Sequence, residues 1–132
     1  MSSEIRQQIE AAIEDMPLVT PIGSARPVKA SLPEAIERIV ETLQPEKVIL
    51  FGSYAYGLPT GDSDVDLLVI MNSDSSDKAE RHWQVSKLLV PRPFPVDILV
   101  QTPEELQRAL SKGHYFYTDV VKTGRVLYER RA

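Results

Sequence analysis

The sequence predicts an α/β domain, of the α+β kind. Three apolar runs of strand length, at residues 48–51, 65–71 and 96–100, are separated by stretches whose apolar residues recur at helical spacing. Proline- and glycine-rich segments fall between these units rather than inside them, as connecting turns require. At 132 residues the chain suits one domain with a real core.

Residues 3–15 place Ile5, Ile9, Ala12 and Ile13 on one side of a helix, and residues 17–27 are rich in proline and small side chains. Residues 1–30 therefore read as a helical arm with a proline-rich linker, and 31–132 as the domain proper. Ser31 opens the next helix as a cap with Glu34 three places on, and Leu32, Ala35, Ile36, Ile39, Val40 and Leu43 form its apolar stripe. Beyond Pro45, Val48-Ile49-Leu50-Phe51 is a continuous apolar run typical of a strand buried on both faces. Gly52-Ser53 follows at once, then a short helix from Tyr54 and a turn-rich loop over 57–63. Residues 65–71 form the second strand. A helix over 76–90 has a broad apolar side that includes Ala79, His82, Trp83, Val85, Leu88 and Val90. Pro91, Pro93 and Pro95 separate it from the third strand, after which Thr102-Pro103-Glu104-Glu105 combines a cap, a first-turn proline and a capping-box acid for a helix to about residue 111. The tail holds Tyr115-Phe116-Tyr117, a short helix over 117–122, a Gly124 stop and a strand-like run at 125–128.

The chain has no cysteine, so disulfides, thiolate-bound zinc and a cysteine nucleophile are excluded. Any metal would be held by oxygen or imidazole. The amino terminus lacks the order of a secretion signal, and no apolar run is of membrane-spanning length, which leads to the expectation of a cytoplasmic protein. The formal net charge is −4 and the basic residues are scattered, which disfavours a nucleic-acid partner.

Chemistry concentrates in two places. A serine after a glycine, set between a buried strand and a helix start, offers backbone N–H groups and a hydroxyl to an anion such as a triphosphate. Asp64 and Asp66 alternate at the mouth of the second strand, so both carboxylates share a face, about 6.5 Å apart at the α-carbon. From there they can converge on one divalent ion or bridge a pair. Asp97 interrupts the third apolar run, where an unpaired buried carboxylate costs several kcal/mol and calls for compensation by a cation or a basic side chain. The chain has neither a P-loop lysine nor a G-x-G-x-x-G fingerprint. His82 and His114 stand at no metal spacing, Tyr54 and Tyr56 suit either a pocket or the core, and Arg81, Lys87 and Arg92 read as a solvated helix face.

Gly52-Ser53, ten intervening residues, Asp64-Val65-Asp66 and the later strand residue Asp97 resemble the active-site signature of the DNA polymerase beta type nucleotidyltransferase superfamily. The short length and the ending Gly124-Arg125-Val126-Leu127-Tyr128-Glu129 are similar to its minimal nucleotidyltransferase (MNT) branch, over about residues 31–129. The resemblance implies a polymerase beta-like fold, a mixed sheet with helices packed mainly on one face. It implies two Mg²⁺ ions held by Asp64 and Asp66, with Asp97 joining the ion that serves the attacking hydroxyl, and Gly52 and Ser53 on the β- and γ-phosphates of a nucleoside triphosphate. Proteins of the minimal branch are commonly paired with a HEPN-domain toxin that they adenylylate. The implied reaction is transfer of a nucleoside monophosphate, AMP from ATP first, to a partner-protein hydroxyl with release of pyrophosphate. Two alternatives stand beside it: transfer to a small molecule such as an aminoglycoside, and an antitoxin subunit that works by binding alone.

Overall fold

The computed structural model describes residues 2–131. The elements run α1 (Ser2–Ala12), α2 (Val28–Leu43), β1 (Lys47–Phe51), α3 (Ser53–Tyr56), β2 (Val65–Ile70), α4 (Lys78–Ser86) with a 3₁₀ turn at Lys87–Leu89, β3 (Val96–Gln101), α5 (Pro103–Ser111), α6 (Tyr115–Thr123) and β4 (Arg125–Glu129). The four strands form one mixed sheet in the order β3-β2-β1-β4. β1 is antiparallel to β2 and to β4, while β2 and β3 run parallel.

Alternation within the strands divides the apolar side chains between two layers. Val48, Leu50, Leu67, Val69, Ile98 and Val100 face the larger core, where α2 supplies Leu32, Ile36 and Ile39 and the end of α4 supplies Val85. Ile49, Leu68 and Ile70 face the opposite way and are covered by Val120 and Tyr117 of α6 and Leu106 of α5. That second layer covers only part of its face, and the uncovered part carries Asp66 and Asp97.

Four features differ from the sequence expectation. Helix α2 begins one turn earlier than Ser31: Val28 is fully buried in phase with Leu32 and Ile36, and its N–H is taken by the Val19 carbonyl. Ser31 lies inside the helix and its hydroxyl donates to the Pro27 carbonyl at 3.4 Å, so it is no cap. Residues before 31 share the main core, since Ile9, Ile13 and Met16 are buried there against the body of the chain. His82 and Trp83 of α4, and Val90 beyond it, are exposed, and Arg81 is buried in line with Val85. Its guanidinium donates to both carboxylate oxygens of Glu105, at 2.6 and 2.9 Å. Glu105 also closes the Thr102 capping box expected at the start of α5, so one carboxylate caps a helix and neutralises a buried cation.

Candidate active site

The site grows out of the turn that follows β1. Phe51 ends the strand, Gly52 turns the chain with φ +78°, and Ser53 opens α3. A Cβ at Gly52 would run into the Asp66 carboxylate, so this backbone lies directly on that side chain. The Ala55 and Tyr56 N–H groups donate to the Gly52 carbonyl, so only the leading Ser53 and Tyr54 N–H groups of α3 lack an intrahelical acceptor. Tyr54 is buried in the main core with its hydroxyl unpartnered, and its pKa is raised by burial and then by the Asp64 charge. Tyr56 is exposed, and its hydroxyl lies 3.4 Å from Asp119 and 3.3 Å from Thr123, tying α3 to α6.

Asp66 and Asp97 are register partners across the parallel β2–β3 ladder, which sets neighbouring strands about 4.8 Å apart. Asp64 precedes β2 by one residue and is exposed. Asp97 is also exposed, on the edge strand β3. The expectation of a buried Asp97 is therefore corrected: the half-buried carboxylate is Asp66, on a central strand with Gly52 packed against it. Burial, then the Asp97 charge, then that of Asp64, pushes the Asp66 carboxyl up to about 6. Among the described residues none of the three acids has a hydrogen-bond or ion-pair partner. Nor do any three acid or imidazole side chains there gather closely enough to enclose a cation unaided. Three unpartnered carboxylates are hard oxygen donors, and the repulsion concentrated on Asp66 is what a divalent cation relieves, so the donor set fits Mg²⁺.

An aromatic wall flanks the acids. Phe51 stands opposite Asp66 in the β1–β2 ladder, and Phe116 of α6 packs edge-on against it, with ring centres 5.8 Å apart. Of the tail aromatics, Tyr115 is 84% exposed, while Tyr117 is half-buried and accepts a hydrogen bond from Gln101 at 2.9 Å. The sequence reading did not find this wall. Its signal was the parity of Phe51 with Ile49, which puts the ring on the Asp66 face.

The family model for the nucleotidyltransferase domain matches residues 32–126, from α2 into β4, and so spans every element that builds the site. The chain belongs to the nucleotidyltransferase domain family. It is similar to the Methanocaldococcus jannaschii protein named "Putative protein adenylyltransferase MJ0604", at 31% identity over 101 residues, covering 72% of this chain and 96% of that one. The nucleotidyltransferase fold also resembles the crystal structure of a Sulfolobus solfataricus protein titled "putative nucleotidyltransferase", with a TM-score of 0.54 and 19% identity over 98% of this chain and 87% of the other. The family and the fold thus agree with the mixed-sheet, polymerase beta-like architecture expected from the signature. Among the described residues of this nucleotidyltransferase, no helix is long and apolar enough to cross a membrane.

Proposed function

We propose that this nucleotidyltransferase moves AMP from ATP to a hydroxyl group of a partner protein, releases pyrophosphate, and serves as the antitoxin of a HEPN-domain toxin in the cytoplasm. The observation that carries the chemistry is the set of unpartnered carboxylates Asp64, Asp66 and Asp97 beside the Gly52-Ser53 turn. A protein acceptor is supported by the name of the Methanocaldococcus relative, which this chain matches over nearly its whole length. The HEPN partner rests on the similarity to the minimal branch.

Each residue has a task that follows from its position. The Ser53 hydroxyl and the free N–H groups of the first turn of α3 bind the β- and γ-phosphates, and Gly52 lets the backbone approach them. Asp64 and Asp66 would hold Mg²⁺, with Asp97 on the side of the acceptor. When bound, the two ions supply charge neutralisation of the triphosphate and activation of the acceptor hydroxyl. Asp97, exposed at the sheet edge, is the carboxylate an incoming hydroxyl meets, and it accepts the proton as the new P–O bond forms. Positioning and electrostatics supply the acceleration, without a covalent enzyme intermediate.

The test is to incubate the purified protein with α-³²P-ATP and Mg²⁺, alone and with lysate of its own host. The expected result is one labelled protein band that disappears with the Asp64→Asn/Asp66→Asn variant. Absence of any labelled protein with all four nucleoside triphosphates overturns the protein-acceptor reading, and labelled small molecules in the same reaction transfer the assignment to a small hydroxylated acceptor.

A further inference from the structure

A concavity lies at the opposite end of β3 from Asp97. It is an open hollow of about 300 Å³ lined by the end of β3, by α5, by His114 and Tyr117 at the start of α6 and by the first residue of α4. Gln101, in its wall, is four residues beyond Asp97, about 13 Å along the strand. The two sites therefore do not share side chains.

The charge in this concavity is one-sided. Lys78, Arg108 and Lys112 line it, and among the described residues none of the three has an ion-pair or hydrogen-bond acceptor for its side chain. Its one lining carboxylate, Glu105, is already held by the buried Arg81 and by the Thr102 N–H. Glu105 thus divides its charge between the buried Arg81 and the nearby Lys78, which leaves the lining with an excess of positive charge. In a chain of net charge −4, a pocket lined by three cations outside any ion pair and by a single carboxylate already bound to Arg81 is a local reversal of sign. Tyr117 adds a directional donor. Its hydroxyl oxygen accepts from Gln101 at 2.9 Å, which leaves the hydroxyl proton to be donated elsewhere, and the same ring lines the concavity.

From this arrangement we infer that the concavity is an anion site for a phosphate group, free or carried on a nucleoside, separate from the carboxylate centre. Arg108 supplies the planar fork that suits two phosphate oxygens, Lys78 and Lys112 supply point charges from two sides, and Tyr117 fixes the orientation through its O–H. The inference does not depend on the transferase reaction, because it uses none of Gly52, Ser53, Asp64, Asp66 or Asp97.

The experiment is an amide NMR titration of ¹⁵N-labelled protein with inorganic pyrophosphate, and separately with ADP, in EDTA. Without a divalent ion the three carboxylates repel both probes, so the catalytic centre stays silent. The expected result is saturable shifts at residue 78 and at residues 101–117, with none at 52–66. Affinity should fall at least about tenfold in Arg108→Ala/Lys112→Ala, which removes two charge-assisted contacts. Both side chains are exposed, and an unchanged melting temperature shows that this variant keeps the fold. Equal affinity for the two probes assigns the site to the free anion, and tighter ADP binding assigns it to a nucleotide. Shifts that do not saturate, that centre on residues 52–66, or that survive unchanged in the double variant overturn the inference.

Discussion

Gly52 is required for two independent reasons, a positive φ of +78° and the absence of room for a Cβ beside the Asp66 carboxylate. Gly52→Ala should therefore lose about 1–3 kcal/mol from backbone strain. Under the proposed function its label transfer should fall on the order of 100-fold, because the Gly52-Ser53 turn and Asp66 are pushed apart. Denaturant melts and initial rates on the same preparation check both effects. Asp66 has the opposite balance of stability and activity. Its half-buried charge faces two other carboxylates with no cation from the protein, so Asp66→Asn should abolish transfer while raising the melting temperature of the metal-free protein by about 2–5 °C. A lower melting temperature would show that the Asp66 charge stabilises the fold. The three aspartates and the Gly-Ser pair stand out in the sequence as candidates because spacing and strand alternation are local properties. Which aspartate is buried was not legible. That depends on β3 being an edge strand and β2 a central one, which the pattern within each run does not reveal.

At the scale of the element, α4 and α5 show where periodicity misleads. Arg81 stands four residues before Val85 and eight before Leu89, in phase with the buried stripe, but its charge sorted it with the solvated residues. Its partner was half visible, since the Thr102–Glu105 capping box was read correctly and only the second use of the Glu105 carboxylate was missed. The Arg81 hydrogen bonds, opposed by partial burial, lower the Glu105 carboxyl from an ordinary 4.5 to about 2. A carboxylate with a depressed folded-state pKa stabilises the protein above its unfolded value. That stability is present above about pH 4.5 and is lost as the pH falls from there toward 2. Arg81→Ala leaves Glu105 without its cation and opens the packing between α4 and α5, and should cost about 3–5 kcal/mol at neutral pH. Acid titrations followed by circular dichroism should show less loss of stability between pH 4.5 and 2 in the variant than in the wild type. An identical pH dependence in the two proteins would mean that the pair does not govern acid stability. The early start of α2 has a similar origin: Val28 belongs to the apolar stripe, and Pro27 with its extended backbone is a better place to begin than a serine that the core buries.

For the whole molecule, element order was readable because each strand and helix carries its own apolar period and its own stop. The strand order and the position of α1 were not, since they follow from which faces remain to be covered. Ile9, Ile13 and Met16 fill the main core, and Arg125 reaches back to Ala12 and Asp15, so the first turns of the chain are fastened to its last strand. Deleting residues 1–16 removes three buried side chains worth about 1.5–3 kcal/mol each, a sum comparable to the stability of a domain this size. The truncated chain should lack a cooperative thermal transition, and a normal melt would show that α1 is dispensable. The same sheet sets the candidate active centre: central β2 carries Asp66, edge β3 carries Asp97, and the turn after β1 brings Gly52 against Asp66. The central claim is that these residues form one cation-dependent nucleotide centre. The most direct measurement is calorimetric titration of a non-hydrolysable ATP analogue into the wild type and Asp64→Asn/Asp66→Asn, each with and without Mg²⁺. Binding confined to the wild type with Mg²⁺ is the predicted result; binding that is equally strong without Mg²⁺, or that survives the double substitution, would contradict it.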